Sequence, residues 1–543
     1  MDHEDHSHID ETSSLLDGST ESNSKENISF CNRFFCCRNV LVFLQFCGFI
    51  TVYGMRANLS VALVAMVNQT FAEQSGNKVL QPECRIYHGN SSDDETAEDG
   101  PFNWDQKTQG YILSAFFYGY ILTQIPGGWL AHRYGGKRVL GYGIFVTALF
   151  TCMTPIAAKT HVLFLIAVRV LAGFGEGITY PAATNLWSRW ATPLERSTYI
   201  VFSFSGGDFG AIFSLGVSGW LSSLAFDGGW PLAFYVFGGL GILWFIVWMI
   251  LIYESPSQHP RIEPWEKQHI LKGIGKSQDI VTTKKPVPTP WKSILTSVPV
   301  WAITVLGFSY GWGWYVFLAC LPSFFKEVLD FNIKKNGVLT ALPFIASWAI
   351  KNLSARFSDL LQKRFGCTFV RKAFSTTALI IGASLLLPVG FLKCSQDVLS
   401  IVFLTISCGA LGLYAPTGAT NPVDLSPRFS SIVMSISNVG TNIPGILSPV
   451  VAGYLTNHQG TRAQWKKVFY ITCVIYFSGL LFFLIFGSGK EQAWNSPAGV
   501  KADDDDDVAS IVARRELHSK TSDDSDFEKS FGHSAQSSHS AVI

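Results

Sequence analysis

Twelve apolar stretches constrain this 543-residue chain more than anything else in it. Each is close to or above the ~20 residues that an α-helix needs to cross a hydrocarbon core. They fall at roughly 40–67, 107–131, 137–158, 161–187, 198–225, 231–253, 297–325, 336–357, 373–392, 398–421, 428–456 and 467–487. The polar, Pro-rich segment 254–296 separates them into six plus six. Composition agrees: only 15% of residues are charged, where a soluble protein carries about a quarter. The segment before the first stretch, MDHEDHSHIDETSSLL, is polar and acidic, so the first membrane helix is expected to direct insertion itself.

The same reading excludes several function classes. A net charge of +1 gives nucleic acid nothing to bind. The eleven cysteines are scattered and form no CxxC pair, the histidines show no HExxH spacing, and no metal site is expected. GFGEG (173–177) lacks the GK[ST] of a P-loop, and no Gly-x-Ser-x-Gly elbow is present. No enzyme is expected, and no cofactor.

The two sets of six look related. RSTYIVFSFS (196–205) aligns without a gap on RFSSIVMSIS (428–437), and WPLAFY (230–235) aligns on WKKVFY (465–470), at offsets of 232 and 235. Two matches at nearly one offset argue for a duplicated six-helix unit. Parallel repeats of this kind resemble the major facilitator architecture, whose substrate site lies between the halves near mid-membrane. The expected fold is all-α, with twelve membrane helices in two pseudo-symmetric halves. The expected organisation is a disordered cytosolic tail (1–38), a first half (39–253), a cytosolic linker (254–296), a second half (297–488) and a disordered, acidic cytosolic tail (489–543). GGWLAHRYGGKR (127–138) resembles the major facilitator loop Gly-x-Leu-Ala-Asp-Arg-x-Gly-Arg-Arg. Gly128, Arg133 and Gly135 fit its pattern and mark a conformational hinge, while His132 replaces the aspartate.

Lys and Arg crowd the loops HRYGGKR (132–138) and RFSDLLQKRFGCTFVRK (356–372) and the linker, which places both termini in the cytosol. The loop after the first stretch is acidic and carries the sequons at Asn68 and Asn90, which are glycosylation sites only on the other side. Cys84 and Cys394 would share that side, as a disulfide or as two thiols. Cys31, Cys36 and Cys37 sit at the membrane edge, as palmitoylation sites or as plain thiols.

Ionisable residues inside membrane helices are costly and usually face a cavity. Arg56, Arg169, Glu176, Asp208 and Lys351 are such residues. Arg169 and Glu176 stand two helical turns apart, on one face. Arg56 and Arg169 suit an anion, because guanidinium pairs bidentately with carboxylate or phosphate. Glu176 would carry a coupling proton or hold an arginine in place; a structural Arg–Glu pair is the other reading. Asp208 either serves the site or pairs locally, Lys351 either snorkels to the interface or serves the site, and Asp424 is read as solvated or capping. Tyr118, Tyr120, Tyr310 and Trp312 either line the cavity or pack between helices. Gly206, Gly207 and Gly210 would let another helix approach, and Pro181 would bend the fourth span.

RANLSVALVAMV, FNWDQKTQGYILSAFFYGYILTQIPGGWLA, GEGITYPA, PLERS and WAITVLGFSY carry a further resemblance. On these strings the chain resembles the sialin-like branch of the vesicular glutamate, sialin and type I sodium–phosphate transporter family of the major facilitator superfamily, from about residue 53 to 494. That resemblance implies cation-coupled symport of organic anions such as acidic sugars or acidic amino acids across a lysosomal or vesicular membrane. The alternative is a sodium-dependent phosphate or organic-anion cotransporter at the plasma membrane. Arg56, Arg169, Tyr118 and Tyr310 would contact substrate; Glu176 and Asp208 would couple the ion, a proton or sodium. Tyr310 stands where the vesicular glutamate transporters carry an arginine. Thr184 and Gly307 replace histidines of the sialin branch, and Ala172 a glutamate; Asp208 would supply the titratable or sodium-binding group that those histidines leave vacant. Glu11, Leu15 and Leu16 resemble an acidic dileucine signal read by clathrin adaptors. The expected partners are thus a small anion, membrane lipid and such an adaptor. A non-transporting receptor on the same scaffold is the different class, and it would tolerate loss of Arg56 and Arg169.

Overall fold

The computed structural model describes residues 36–68, 100–104, 106–222, 224, 229–274, 288–321, 324–325, 328–329, 333–456 and 461–495. Among them twelve helical rods follow one another. They are α1 (Cys37–Met66), α2 (Gln106–Tyr134), α3 (Gly136–Thr160), α4 (Val162–Gly177 continuing as Thr179–Trp190), α5 (Arg196–Ser222) and α6 (Trp230–Leu251). The second six are α7 (Val298–Tyr315), α8 (Ile333–Phe365), α9 (Cys367–Val389), α10 (Asp397–Leu411 continuing as Ala415–Leu425), α11 (Ser430–Asn442 continuing as Pro444–Thr456) and α12 (Arg462–Phe486). Eight of the twelve pass by length and hydropathy alone as membrane-crossing helices. Large apolar side chains such as Leu163, Leu243, Val450, Val474 and Ile485 point outward, as they do where the surrounding solvent is lipid.

The packing repeats. In the first half α1 packs on α5 and α6, α2 on α4, and α3 on α4 and α6. In the second, α7 packs on α11 and α12, α8 on α10, and α9 on α10 and α12. Adding six to each helix number turns one pattern into the other. The contacts between the halves obey the same rule: α2 meets α11 and α5 meets α8. Backbone detail repeats too. Gly135 (φ 94°) opens α3 and Gly366 (φ 77°) opens α9, both in the left-handed region where glycine is tolerated best.

The broken helices have local causes. Proline offers no N–H to the carbonyl four residues back and crowds it. Pro181 stands four residues after Gly177, where the first segment of α4 ends, and the Thr179 hydroxyl bonds the neighbouring Glu176 carbonyl at 2.7 Å. Pro416 follows Gly412 in the same way, where α10 tightens into a 3-10 turn. Close approach has its own signature: a Cβ on Gly210 of α5 would lie 2.6 Å from the Ile50 carbonyl oxygen of α1.

Part of the 254–296 segment is built onto the first half. A short helix, Pro264–Ile274, buries Glu266, whose carboxylate accepts from the Cys37 and Arg38 backbone N–H groups at 3.0 and 2.9 Å and so caps α1. Glu254 caps α3 in the same manner, accepting from Gly136 N at 2.8 Å and Lys137 N at 2.9 Å while Arg189 holds it at 2.8 Å. Arg38 also meets Glu195 at 2.7 Å. Burial pushes the Glu195 carboxyl up, but Arg38 and hydrogen bonds from His269 and Thr192 outweigh it and hold it below its ordinary value.

Three expectations change or narrow here. Cys36 is buried, and half-buried Cys37 sets its sulfur 3.6 Å from His259 Nδ1, which favours the plain-thiol reading for both; Cys31 lies outside the described residues. Asp424 is neither solvated nor a cap: it is buried between Arg196 and Arg371. The residues just after α12 are folded, with Gln492 N bonding the Leu425 carbonyl at 2.9 Å.

Candidate functional site

A cavity opens between the halves, walled by Tyr53, Tyr120 and Tyr180 from the first and by Tyr310, Trp314 and Tyr414 from the second. Two charged side chains line it, Asp208 and Lys351. They come from the middle of α5 and of α8, one from each half, and they form an ion pair across the gap. The Lys351 ammonium also lies 5.3 Å from the Trp314 ring centroid. Tyr310 stacks on Tyr414 at 4.2 Å, which fixes the wall beside them. Lys351 therefore does not snorkel. It is fourteen residues from the end of α8 at Phe365, roughly 20 Å of helix, and the nearer solution is a carboxylate.

Arg56, Arg169 and Glu176 are gathered together, but not on the cavity wall. Arg56 Nε lies 3.0 Å from Glu176 Oε1, with 14% and 0% of the two side chains exposed. The contact is an ion pair rather than an aligned hydrogen bond, since neither atom has a hydrogen-bond partner among the described residues. Arg56 Nη2, Arg169 Nε and Glu176 Oε2 are equally without one. The Arg56 guanidinium is boxed by rings, 4.6 Å from the centroid of Tyr120, 4.7 Å from Phe116 and 5.1 Å from Tyr53, and Arg169 is 5.5 Å from Phe116. Tyr53 and Tyr120 present one face to Arg56 and another to the cavity. The cluster thus sits one aromatic layer behind the wall. Two arginines and one glutamate leave it with an excess of positive charge when ionised.

Of the two expected tyrosines, Tyr310 lines the cavity and Tyr118 does not: it is 49% exposed on the outer side of α2. Tyr120 takes that place, because two residues along a helix turn the side chain by about 200°. Sequence reasoning also missed a polar chain. Asn438 of α11 donates to the Tyr120 hydroxyl at 3.0 Å and to Gln124 Oε1 at 3.2 Å, both on α2. Asn442 donates to the Asn438 side chain at 3.0 Å and accepts from the Tyr315 hydroxyl at 2.7 Å. The signal was there in SISNVGTN, where two amides four residues apart share a face of a membrane helix.

At the end of the bundle near the 254–296 segment, the halves are locked. Asp424 of α10 meets Arg196 of α5 at 3.0 Å and Arg371 of α9 at 2.9 Å. Asp359 of α8 accepts from the Ser197 and Thr198 backbone N–H groups at 3.2 and 2.7 Å, capping α5 from the other half. Gly128, expected at a hinge, lies on this seam: its carbonyl accepts from Ser431 of α11 at 2.9 Å, and a Cβ on it would come within 2.7 Å of the Ser431 carbonyl oxygen. Gly135 turns the chain into α3, and Arg133 packs over Trp129 at 5.5 Å. Asn68 bonds the Phe102 carbonyl through its backbone at 2.9 Å. Asn90, Cys84 and the Glu11, Leu15 and Leu16 signal lie outside the described residues.

The Major Facilitator Superfamily model matches residues 45–371 and 357–519. Sialin of Homo sapiens is 40% identical over 468 residues, 84% of this chain and 91% of that protein. Vesicular glutamate transporter 3 of Danio rerio is 36% identical over 491 residues, 90% of this chain and 79% of that one. A putative inorganic phosphate cotransporter of Drosophila ananassae is 38% identical over 460 residues, 84% and 93% of the two chains. Among solved structures, the proton:xylose symporter XylE superimposes with a TM-score of 0.62 at 14% identity, covering 83% of this chain and 96% of that one, and shows the same fold. Not an enzyme but a membrane transporter, the chain belongs to the Major Facilitator Superfamily and, within it, to the family of sialin, the vesicular glutamate transporters and the phosphate cotransporters.

Proposed function

We propose that this protein is a cation-coupled symporter of organic anions, acidic sugars or acidic amino acids, that works by alternating access between its two halves. The observation that carries this reading is the aromatic cavity between the halves with the Arg56–Arg169–Glu176 cluster one layer behind it. The cluster's excess positive charge favours an anion in front of it, and the low-dielectric wall between them keeps that attraction strong. Arg56 and Arg169 would act on the substrate through this field, and directly once Tyr53 and Tyr120 turn aside. Glu176 and Asp208, each beside a cation, are the carboxylates offered to the coupling ion, with a proton first and sodium second. The lock at Asp424 closes one end of the cavity's path and supports two halves, 39–253 and 297–488, moving about the site.

The basic loops support a cytosolic side for that end and for both termini, and the resemblance supports a lysosomal or vesicular membrane. The 38% identity to a protein described as a putative inorganic phosphate cotransporter supports a second reading, a sodium-dependent phosphate or organic-anion cotransporter at the plasma membrane. Uptake into proteoliposomes separates them. Labelled sialic acid, glutamate, aspartate and phosphate would be offered under an imposed pH gradient, with and without sodium, beside Arg169→Ala. Carboxylate uptake driven by pH and lost in the variant is expected. Sodium-driven phosphate uptake would move the assignment to the second reading, and no uptake of any of the four would sink both.

A further inference from the structure

Of the five intramembrane charges, only Asp208 and Lys351 reach the cavity wall, and the other lining residues are uncharged. An ammonium has three donors. One goes to Asp208, and the other contact described for it is the Trp314 ring. The carboxylate that holds it comes from the opposite half. Tyr180, Tyr310 and Cys408 lie within electrostatic reach of Asp208 from α4, α7 and α10, and each is neutral in its ordinary form.

Resting on the proposed transport of organic anions, we infer that Lys351 is the residue that binds the substrate carboxylate, and that the carboxylate does so by displacing Asp208 from it. An entering anion then meets a cation already desolvated and already aimed into the cavity, and the exchange of one carboxylate for another leaves the ammonium paired throughout. Displacement also breaks a bond between the halves, so that binding is felt by α5 and α8 together. Asp208, released, needs a cation of its own, which is the place for the coupling ion. Nothing in this scheme requires the Arg56 cluster to leave its aromatic box before substrate arrives.

The distinguishing test is the opposite sign of two substitutions. Equilibrium binding of labelled sialic acid, glutamate and aspartate would be measured on the purified full-length protein, with Lys351→Gln, Lys351→Arg, Asp208→Asn and the double variant D208N/K351Q. The double variant leaves no buried charge unpaired and guards against failure to fold, checked by size-exclusion elution. Whichever carboxylate the wild type binds should bind Lys351→Gln and the double variant ~10- to 100-fold more weakly, the loss of one charge-assisted hydrogen bond. Lys351→Arg should keep most of the affinity. Asp208→Asn should bind several-fold more tightly, because the competing carboxylate is gone. If Asp208→Asn and Lys351→Gln weaken binding alike, the pair is only a bridge between halves and the inference is wrong. Wild-type affinity in Lys351→Gln would also overturn it, placing the anion elsewhere while organic-anion transport stands. A wild type that binds no carboxylate would remove that reading and this inference with it.

Discussion

Arg56 and Glu176 belong to one half of the molecule, whereas Asp208 and Lys351 belong to two. The first pair lies behind Tyr53, Tyr120 and Phe116, with both partners in the same half. The second spans the gap at mid-helix and faces the cavity. Placement, more than chemistry, decides what each can do. A pair inside one rigid unit sets a field and a stability. A pair across two units reports whether they are together, and a ligand can compete for it. The Asp424 cluster is a third arrangement, again across the halves but at the bundle's end, where one carboxylate joins Arg196 of the first half to Arg371 of the second.

Four substitutions would break or sharpen that contrast. Glu176→Gln has the largest effect, since it leaves Arg56 and Arg169 buried without a carboxylate. Removing one partner of a buried pair costs about 3–5 kcal/mol; thermal denaturation should show that loss, and uptake should fall to background. Unchanged stability would mean that water reaches the cluster. Asp424→Asn comes next. Arg196 and Arg371 are then left facing each other across the seam, and the Cys367 thiol, 3.4 Å from Asp424, becomes the reporter. In a chain with its other cysteines replaced, alkylation of Cys367 should quicken several-fold as that end opens, and an unchanged rate would argue against a lock.

Gly128→Val is expected to be milder. Its side chain would enter the α2–α11 seam and hold the halves apart, lowering uptake a few-fold while α2 itself stays helical by circular dichroism. Gly135→Ala should be the smallest. It strains a positive-φ position that essentially only glycine adopts, at a cost of about 1–3 kcal/mol, and crowds Glu254, whose carboxyl carbon would lie 2.6 Å from the new Cβ. A slightly lower melting temperature with normal substrate affinity is the expected result; loss of affinity would tie this turn to the site.

How much of this was legible in the sequence follows from which interactions are local. Helix length and apolarity are written along the chain, so the twelve rods could be read directly. The duplication was visible in RSTYIVFSFS and RFSSIVMSIS, and the structure adds Gly135 and Gly366 at nearly the same offset. That Arg169 and Glu176 would come together followed from helical spacing alone. Asp208 and Lys351 are 143 residues apart on helices of different halves, and no periodicity links them. Each was therefore judged alone, and a lone lysine near basic loops reads as a snorkelling one. Asp424 was misjudged for the same reason, because Arg196 is 228 residues away. Tyr118 and Tyr120 differ only in helix phase, and that phase was undetermined until the neighbours of α2 were known.

The central claim is that the pair across the halves is where substrate and coupling ion meet. Its most direct test is Asp208→Asn in proteoliposomes, with uphill accumulation driven by a pH gradient and passive counterflow measured side by side. The account predicts that counterflow persists, because Lys351 still binds the carboxylate, and that accumulation is lost, because no carboxylate remains to hold the coupling ion there. Accumulation at the wild-type level in Asp208→Asn would contradict it and move coupling to Glu176.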